Sequence, residues 1–144
     1  MKTIFNPGSY QKNISLALLL IRLAAGAFML THGWSKLEKA FGTEPIQFSD
    51  PLGIGVTASW ALTVFAEFFC SFLLLIGLTT RLATIPLMIT MIVAAFIVHG
   101  DDPFGKKELA LFYLLVYIAL AIAGAGRYSA DNWVFNRLNQ RRKR

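Results

Sequence analysis

Two ionisable side chains stand inside runs that otherwise read as hydrocarbon. Glu67 lies within "TVFAEFFCSFLLLIGLTTR", residues 63–81, and Arg22 within "ISLALLLIRLAAGAFMLTHG", residues 14–33. A lone charge at the centre of a bilayer costs at least ~2.5–3.5 kcal/mol, so such residues are paired, functional or both. At 1.5 Å of rise per residue, each lies ~15 Å from the outer end of its own run. Equal depth predicts an Arg22–Glu67 ion pair inside the bundle, with charged groups within ~6 Å. The bland alternative is a lock between two helices, with no chemistry attached.

A second group of titratable residues falls at a shallower level. His32 closes the first apolar run, His99 the third, Glu108 opens the fourth, and Lys36 follows His32 by one turn. Together they could bind a polar head group, relay a proton or anchor the chain at the interface. At the opposite end Arg81 is placed to pair with Asp131. No HxxxH or HExxH spacing exists, so a metal site is not expected. Haem would require His32 and His99 to face each other. The single cysteine, Cys70, excludes an intrachain disulfide, a CxxC redox pair and a cysteine-held cluster.

The elements that must hold these residues are long and apolar. Of 144 residues 56% are hydrophobic and 15% charged, and mean hydropathy is +0.55. That composition points to a membrane protein rather than a soluble domain. Spans are predicted at about 14–33, 57–78, 82–99 and 108–124, within a single domain over 1–144. Arg22 interrupts the first run, which argues for a retained span over a cleaved signal peptide. The short "GLTTR" break forces the second and third spans into an antiparallel hairpin. Ser59, Thr63, Glu67 and Ser71 share one small or polar helix face, and Arg22, Gly26, Met29 and Gly33 share another. Faces of small residues let helices approach closely. The fold expected is all-α: an antiparallel four-helix integral membrane bundle, followed by a short amphipathic C-terminal segment around Trp133 and Phe135.

Charge sets the orientation. One side carries Lys2, Lys12, Arg81, Arg127, Arg137 and the tail "RRKR"; the other carries only Lys36, Lys39, Lys106 and Lys107. The bias toward basic cytoplasmic loops then puts both termini in the cytoplasm and the loops 34–56 and 100–107 outside. The net charge of +6 is read as topology signal and anionic-lipid contact, not as a nucleic-acid footprint.

The pieces "IRLAAGAFMLTHGWSKL", Glu67 followed by "LLLIGLTTRLA", His99 and "GAGRYSAD" occur in an order that resembles the DoxX family of small four-helix bacterial membrane proteins. The resemblance covers roughly 15–135. The family's glycine pair after the glutamate reads Cys70-Ser71 here, and its G-P-G reads Gly124-Ala125-Gly126; both changes keep small residues. The resemblance implies a plasma (inner) membrane location and a component of an oxidoreductase system, in some members linked to quinone or to partner thiol and redox enzymes.

No GxGxxG or other flavin or nucleotide motif is present, so the redox group is expected to be a membrane quinone or to belong to a partner. In a quinone-linked subunit, Glu67 and Arg22, or His32, His99 and Glu108, would hydrogen-bond the head group, with Phe112, Tyr113 and Tyr117 along ring or tail. Two other functions fit the same residues: a non-enzymatic scaffold docking a protein partner or a second copy, and a small proton-coupled transporter using Glu67.

Overall fold

The computed structural model describes residues 12–43 and 45–141. Lys2 and the tail residues Arg142, Lys143 and Arg144 lie outside the described residues. All regular structure among the described residues is helical. Helix α1 is Lys12–Leu37, continued by a 3-10 turn at Glu38–Phe41. Helix α2 is Val56–Ile76 and α3 is Thr80–Val98. Helix α4 is Phe104–Ala123 and α5 is Ala130–Arg141.

The helix ends follow from local chemistry. Before α2, the Asp50 carboxylate accepts from the N–H of Ile54 (3.1 Å) and Gly55 (2.7 Å) and from Ser59 Oγ (2.6 Å). This ties the start of α2 to the loop that feeds it. At its other end Gly77 takes φ +71, with Gly77 N–H donating to the Leu74 carbonyl and Leu78 N–H to that of Leu73. That is a Schellman stop, which favours glycine because a Cβ is strained at positive φ. The hairpin to α3 is therefore tight, as "GLTTR" predicts. The first amides of α3 are capped from far along the chain: Asp131 accepts from Thr79 N–H (2.6 Å) and Thr80 N–H (3.0 Å). Asp131 N–H in turn donates to the Gly77 carbonyl at 2.8 Å. Thus α4 runs the length of the bundle, and the start of α5 returns to the α2–α3 hairpin.

The four long helices pack around Leu18, Met29, Leu74, Leu87, Tyr117 and Leu120. Their outer faces stay apolar and uncovered: Phe28, Phe112 and Ile122 are more than 60% exposed. A continuous apolar exterior on a helical bundle suits hydrocarbon, where backbone groups must be satisfied within the helix.

Among the described residues, three helices are long and apolar enough to cross a membrane: Lys12–Phe41, Val56–Ile76 and Thr80–Val98. The expected fourth is less clear. Helix α4 carries Lys106, Lys107 and Glu108 near its start. The uncharged remainder, 109–123, is shorter than the ~20 residues that span a bilayer core.

Among the described residues, two segments widen from α to π: Phe65–Cys70 within α2 and Ala94–Val98 at the end of α3. One holds Glu67, and the other leads directly into His99. Such turns are rare overall and frequent at functional positions.

A polar cleft lined from both widened turns

Gly33 of α1 lies against the backbone of Glu67. A Cβ built there would fall 2.5 Å from the Glu67 carbonyl carbon and the Phe68 nitrogen. Glycine alone lets α1 and α2 cross so closely, and the crossing puts Lys36, one turn further out, beside Glu67. Lys36 Nζ donates to Glu67 Oε2. The Lys36 carbonyl accepts from Trp60 Nε1 at 3.0 Å, so the same residue is held at both its backbone and its side chain.

The anticipated Arg22–Glu67 pair is not formed. Arg22 is buried, but its Nη2 donates to the Tyr128 carbonyl at 2.7 Å and its Nη1 to that of Ala125 at 3.4 Å. It also lies close enough to Asp131 to interact with its charge. The guanidinium fills a notch at Gly77, where a Cβ would sit 1.6 Å from Nη1. The physical reason is register. Helix α1 continues to Leu37 rather than ending at Gly33, so Gly33 faces Glu67, and Arg22, ~16 Å along the helix, faces the hairpin.

The Arg81–Asp131 pair is not formed either. Both Asp131 oxygens are taken by the amides of Thr79 and Thr80, and Arg81 Nη2 donates to the Ile122 carbonyl at 3.2 Å. Arg22, Arg81 and Asp131 thus tie α1 and the α2–α3 hairpin to the last turn of α4 and the segment that follows it.

The outer residues do converge. A cavity of about 210 Å³ is lined by His32, Lys36, Glu67, His99, Lys106 and Tyr113, with Met29 and Met91 among its apolar walls. It therefore joins Glu67, expected at an interior site, with His32, Lys36 and His99, expected at an outer one. Glu108 is exposed and not part of the lining. Helix α4 turns Lys106, Leu109, Ala110 and Tyr113 toward the cleft, a spacing of three and four that leaves Glu108 on another face.

Asp102 was not singled out from sequence, yet it organises one wall. Its Oδ2 pairs with His99 Nδ1 at 2.8 Å, and its Oδ1 accepts from Lys106 Nζ at 3.2 Å. These contacts, His99 first and Lys106 next, hold its carboxyl below the usual carboxylate range. The available signal was the spacing of His99, Asp102 and Lys106 across a helix break. Tyr113 stacks on Tyr117 with ring centroids 5.8 Å apart.

Chemically, the cleft offers two ammonium groups, a carboxylate, two imidazoles and a phenol within one small partly apolar volume. It can donate hydrogen bonds to a carbonyl or anion and exchange protons with it. Among the described residues no group of three or more His, Cys, Asp or Glu is placed to hold a metal.

Comparison with known proteins places this architecture. A protein of Bacillus subtilis named "Putative oxidoreductase CatD" is 30% identical over 125 residues, covering 86% of this chain and 91% of that protein. An uncharacterized protein of Haemophilus influenzae is 29% identical over 80 residues, 53% of each chain. No solved structure matches. The DoxX family profile matches residues 17–100, a stretch that holds Arg22, His32, Lys36, Glu67 and His99, and the chain belongs to the DoxX family.

Proposed function

We propose that this protein is the membrane subunit of a quinone-linked redox system, and that the cleft around Lys36 and Glu67 takes the quinone head group. Family membership and the name of the Bacillus subtilis relative support a membrane protein of an oxidoreductase-related system. The observation that carries the finer reading is the half-buried Lys36–Glu67 pair, with both histidines lining the same cleft.

In this reading Lys36 Nζ and a histidine ring hydrogen-bond the two carbonyl oxygens of the quinone. Glu67 exchanges protons with the bound head group, and the Asp102–His99 contact fixes which ring nitrogen of His99 is presented. A reduced partner protein supplies two electrons, two protons enter at the carbonyl oxygens, and a quinol leaves. The chain carries no recognisable flavin or nucleotide motif, so the electron donor belongs to the partner. We place all four long helices across the plasma membrane of a bacterium, with both termini cytoplasmic and the cleft toward the outer side.

The test is quinone binding by the full chain in native-lipid discs, read by mass spectrometry of co-purified lipids and by quenching of tryptophan fluorescence. Trp60, bonded to the Lys36 carbonyl, is the natural reporter. Saturable quenching is expected, weakened about tenfold or more by Lys36→Met or Glu67→Gln, as for loss of a charge-assisted hydrogen bond. Gentle preparations with no quinone and no saturable quenching would reject the reading. A pure docking scaffold would give that result.

A further inference from the structure

The polar cleft is small. At about 210 Å³ it falls short of the ~300–1,000 Å³ typical of sites that enclose a whole ligand. A second cavity, of about 460 Å³, adjoins it between α1 and α4. Its walls are Ile21, Ala24, Ala25 and Phe28 on one helix, and Phe112 and Val116 on the other, with Leu109 and Tyr113 completing the lining. Leu109 and Tyr113 also line the polar cleft, so the two volumes meet at these side chains.

The seam has a simple origin. Ala24 and Ala25 remove bulk from α1 where it faces α4, and these two helices touch far less than α3 and α4 do. Ala24, Phe28 and Phe112 are exposed, so the groove opens sideways onto the apolar exterior of the bundle. Apart from the Tyr113 hydroxyl, no side chain in its lining can hydrogen-bond.

We propose that this groove is the subsite for the apolar tail of the ligand whose head group occupies the polar cleft. The ligand class is then an isoprenoid quinone that enters laterally from the bilayer. The head lies among Lys36, Glu67, His32 and His99, and the first tail units lie along Ala24, Phe28, Phe112 and Val116. This assignment rests on the quinone reading above. A groove without a connected polar end would fit any bilayer acyl chain; the junction at Leu109 and Tyr113 assigns it to one ligand with two chemically different ends.

The experiment compares two quinones with the same ring, one without a tail and one with a ten-carbon or longer tail. Binding is measured on the full chain in lipid discs, with concentrations expressed per lipid so that partition into the bilayer cancels. Ala24→Trp and Val116→Phe fill the groove from opposite helices, and melting curves confirm that each variant folds. Both quinones start in the bilayer, so no transfer from water is counted; wild type is expected to favour the tailed quinone by about fivefold through close packing of the tail against the groove walls. Either substitution removes that preference and leaves the tail-free affinity within about twofold. If wild type binds both quinones but without preference, or if neither substitution alters the preference, the tail subsite is rejected while the head-group reading stands. If both substitutions weaken the two quinones equally, the groove acts on the cleft rather than on a tail, and the subsite is again rejected. If neither quinone binds wild type, the head-group reading fails and the tail subsite with it.

Discussion

Gly33 is the smallest residue near the cleft and one of the least replaceable. Its missing side chain is the space occupied by the backbone of Glu67 and Phe68. Gly33→Ala therefore forces two helices apart and is expected to cost about 1–3 kcal/mol, as overpacking does. Denaturant melts in detergent would measure it. Gly105→Ala is the control: nothing lies within 4 Å of a Cβ there, so the change should be neutral or stabilise by up to ~1 kcal/mol through helix propensity.

The Lys36–Glu67 pair gives a second residue-scale expectation. The Glu67 side chain is 7% exposed and that of Lys36 is 24% exposed. Either single neutralisation leaves a charge with no partner, but Lys36 can still swing toward water. Each is expected to cost about 1–2 kcal/mol, below the range for a fully buried pair. The double variant Lys36→Met/Glu67→Gln should be less destabilised than the sum of the singles, and a double-mutant cycle reads that coupling. Strict additivity would show that the contact carries no energy.

At the scale of elements, two aspartates fasten helix starts. Asp131 caps α3 from across the bundle, so Asp131→Ala is expected to cost about 1–2 kcal/mol. It should also speed hydrogen exchange at Thr79 and Thr80 while leaving α2 unchanged. Asp50 fastens the start of α2, and the Ser59 hydroxyl, followed by the amides of Gly55, Ile54 and Gly53, holds its carboxyl below its ordinary value. A lowered folded-state pKa means that the unfolded state binds the proton more readily, so acid opposes folding. The turn at 50–59 is then fully stabilised above the ordinary carboxylate value of about 4 and loosens as pH falls below it. Hydrogen exchange of Gly55 and Ser59 between neutral and strongly acidic pH should show this, and Asp50→Asn should flatten the profile. Asp102 carries the same sign, so the wall formed by His99 and Lys106 loosens in acid as well.

For the molecule as a whole, the informative contact is the return of the chain after α4 to the α2–α3 hairpin. Asp131 bonds Gly77, Thr79 and Thr80 there. If α3 crosses the bilayer, α4 must travel back through the same thickness despite its charged first turns. Lys106 and Lys107 then sit near the membrane surface at the end away from the hairpin, with their charged ends within reach of water. Single-cysteine labelling tests this against a quiet background, since Cys70 is buried. Leu52→Cys, exposed before α2, should react with an impermeant maleimide from outside intact cells. Tyr128→Cys, exposed after α4, should react only once the membrane is opened. Labelling of both from the same side would mean that the two ends of the bundle do not lie on opposite faces of the membrane, and would overturn the spanning arrangement of all four helices.

The helices, their apolar exteriors, the tight hairpin at Gly77 and the kinds of residue that chemistry would use can all be read along the chain. These are local properties, set by runs of apolar side chains and by single glycines at turns. They do not determine which charge meets which. Glu67 and Arg22 lie at similar counts from their own predicted ends, but α1 continues to Leu37 and crosses α2 at Gly33. The register between two helices depends on where their backbones can touch, and no periodicity within either helix records that. The tertiary structure therefore decided that Lys36 joins Glu67 and that Arg22 and Asp131 lock the opposite end. It also decided that His32, His99 and Lys106 share one cleft while Glu108 stays outside it.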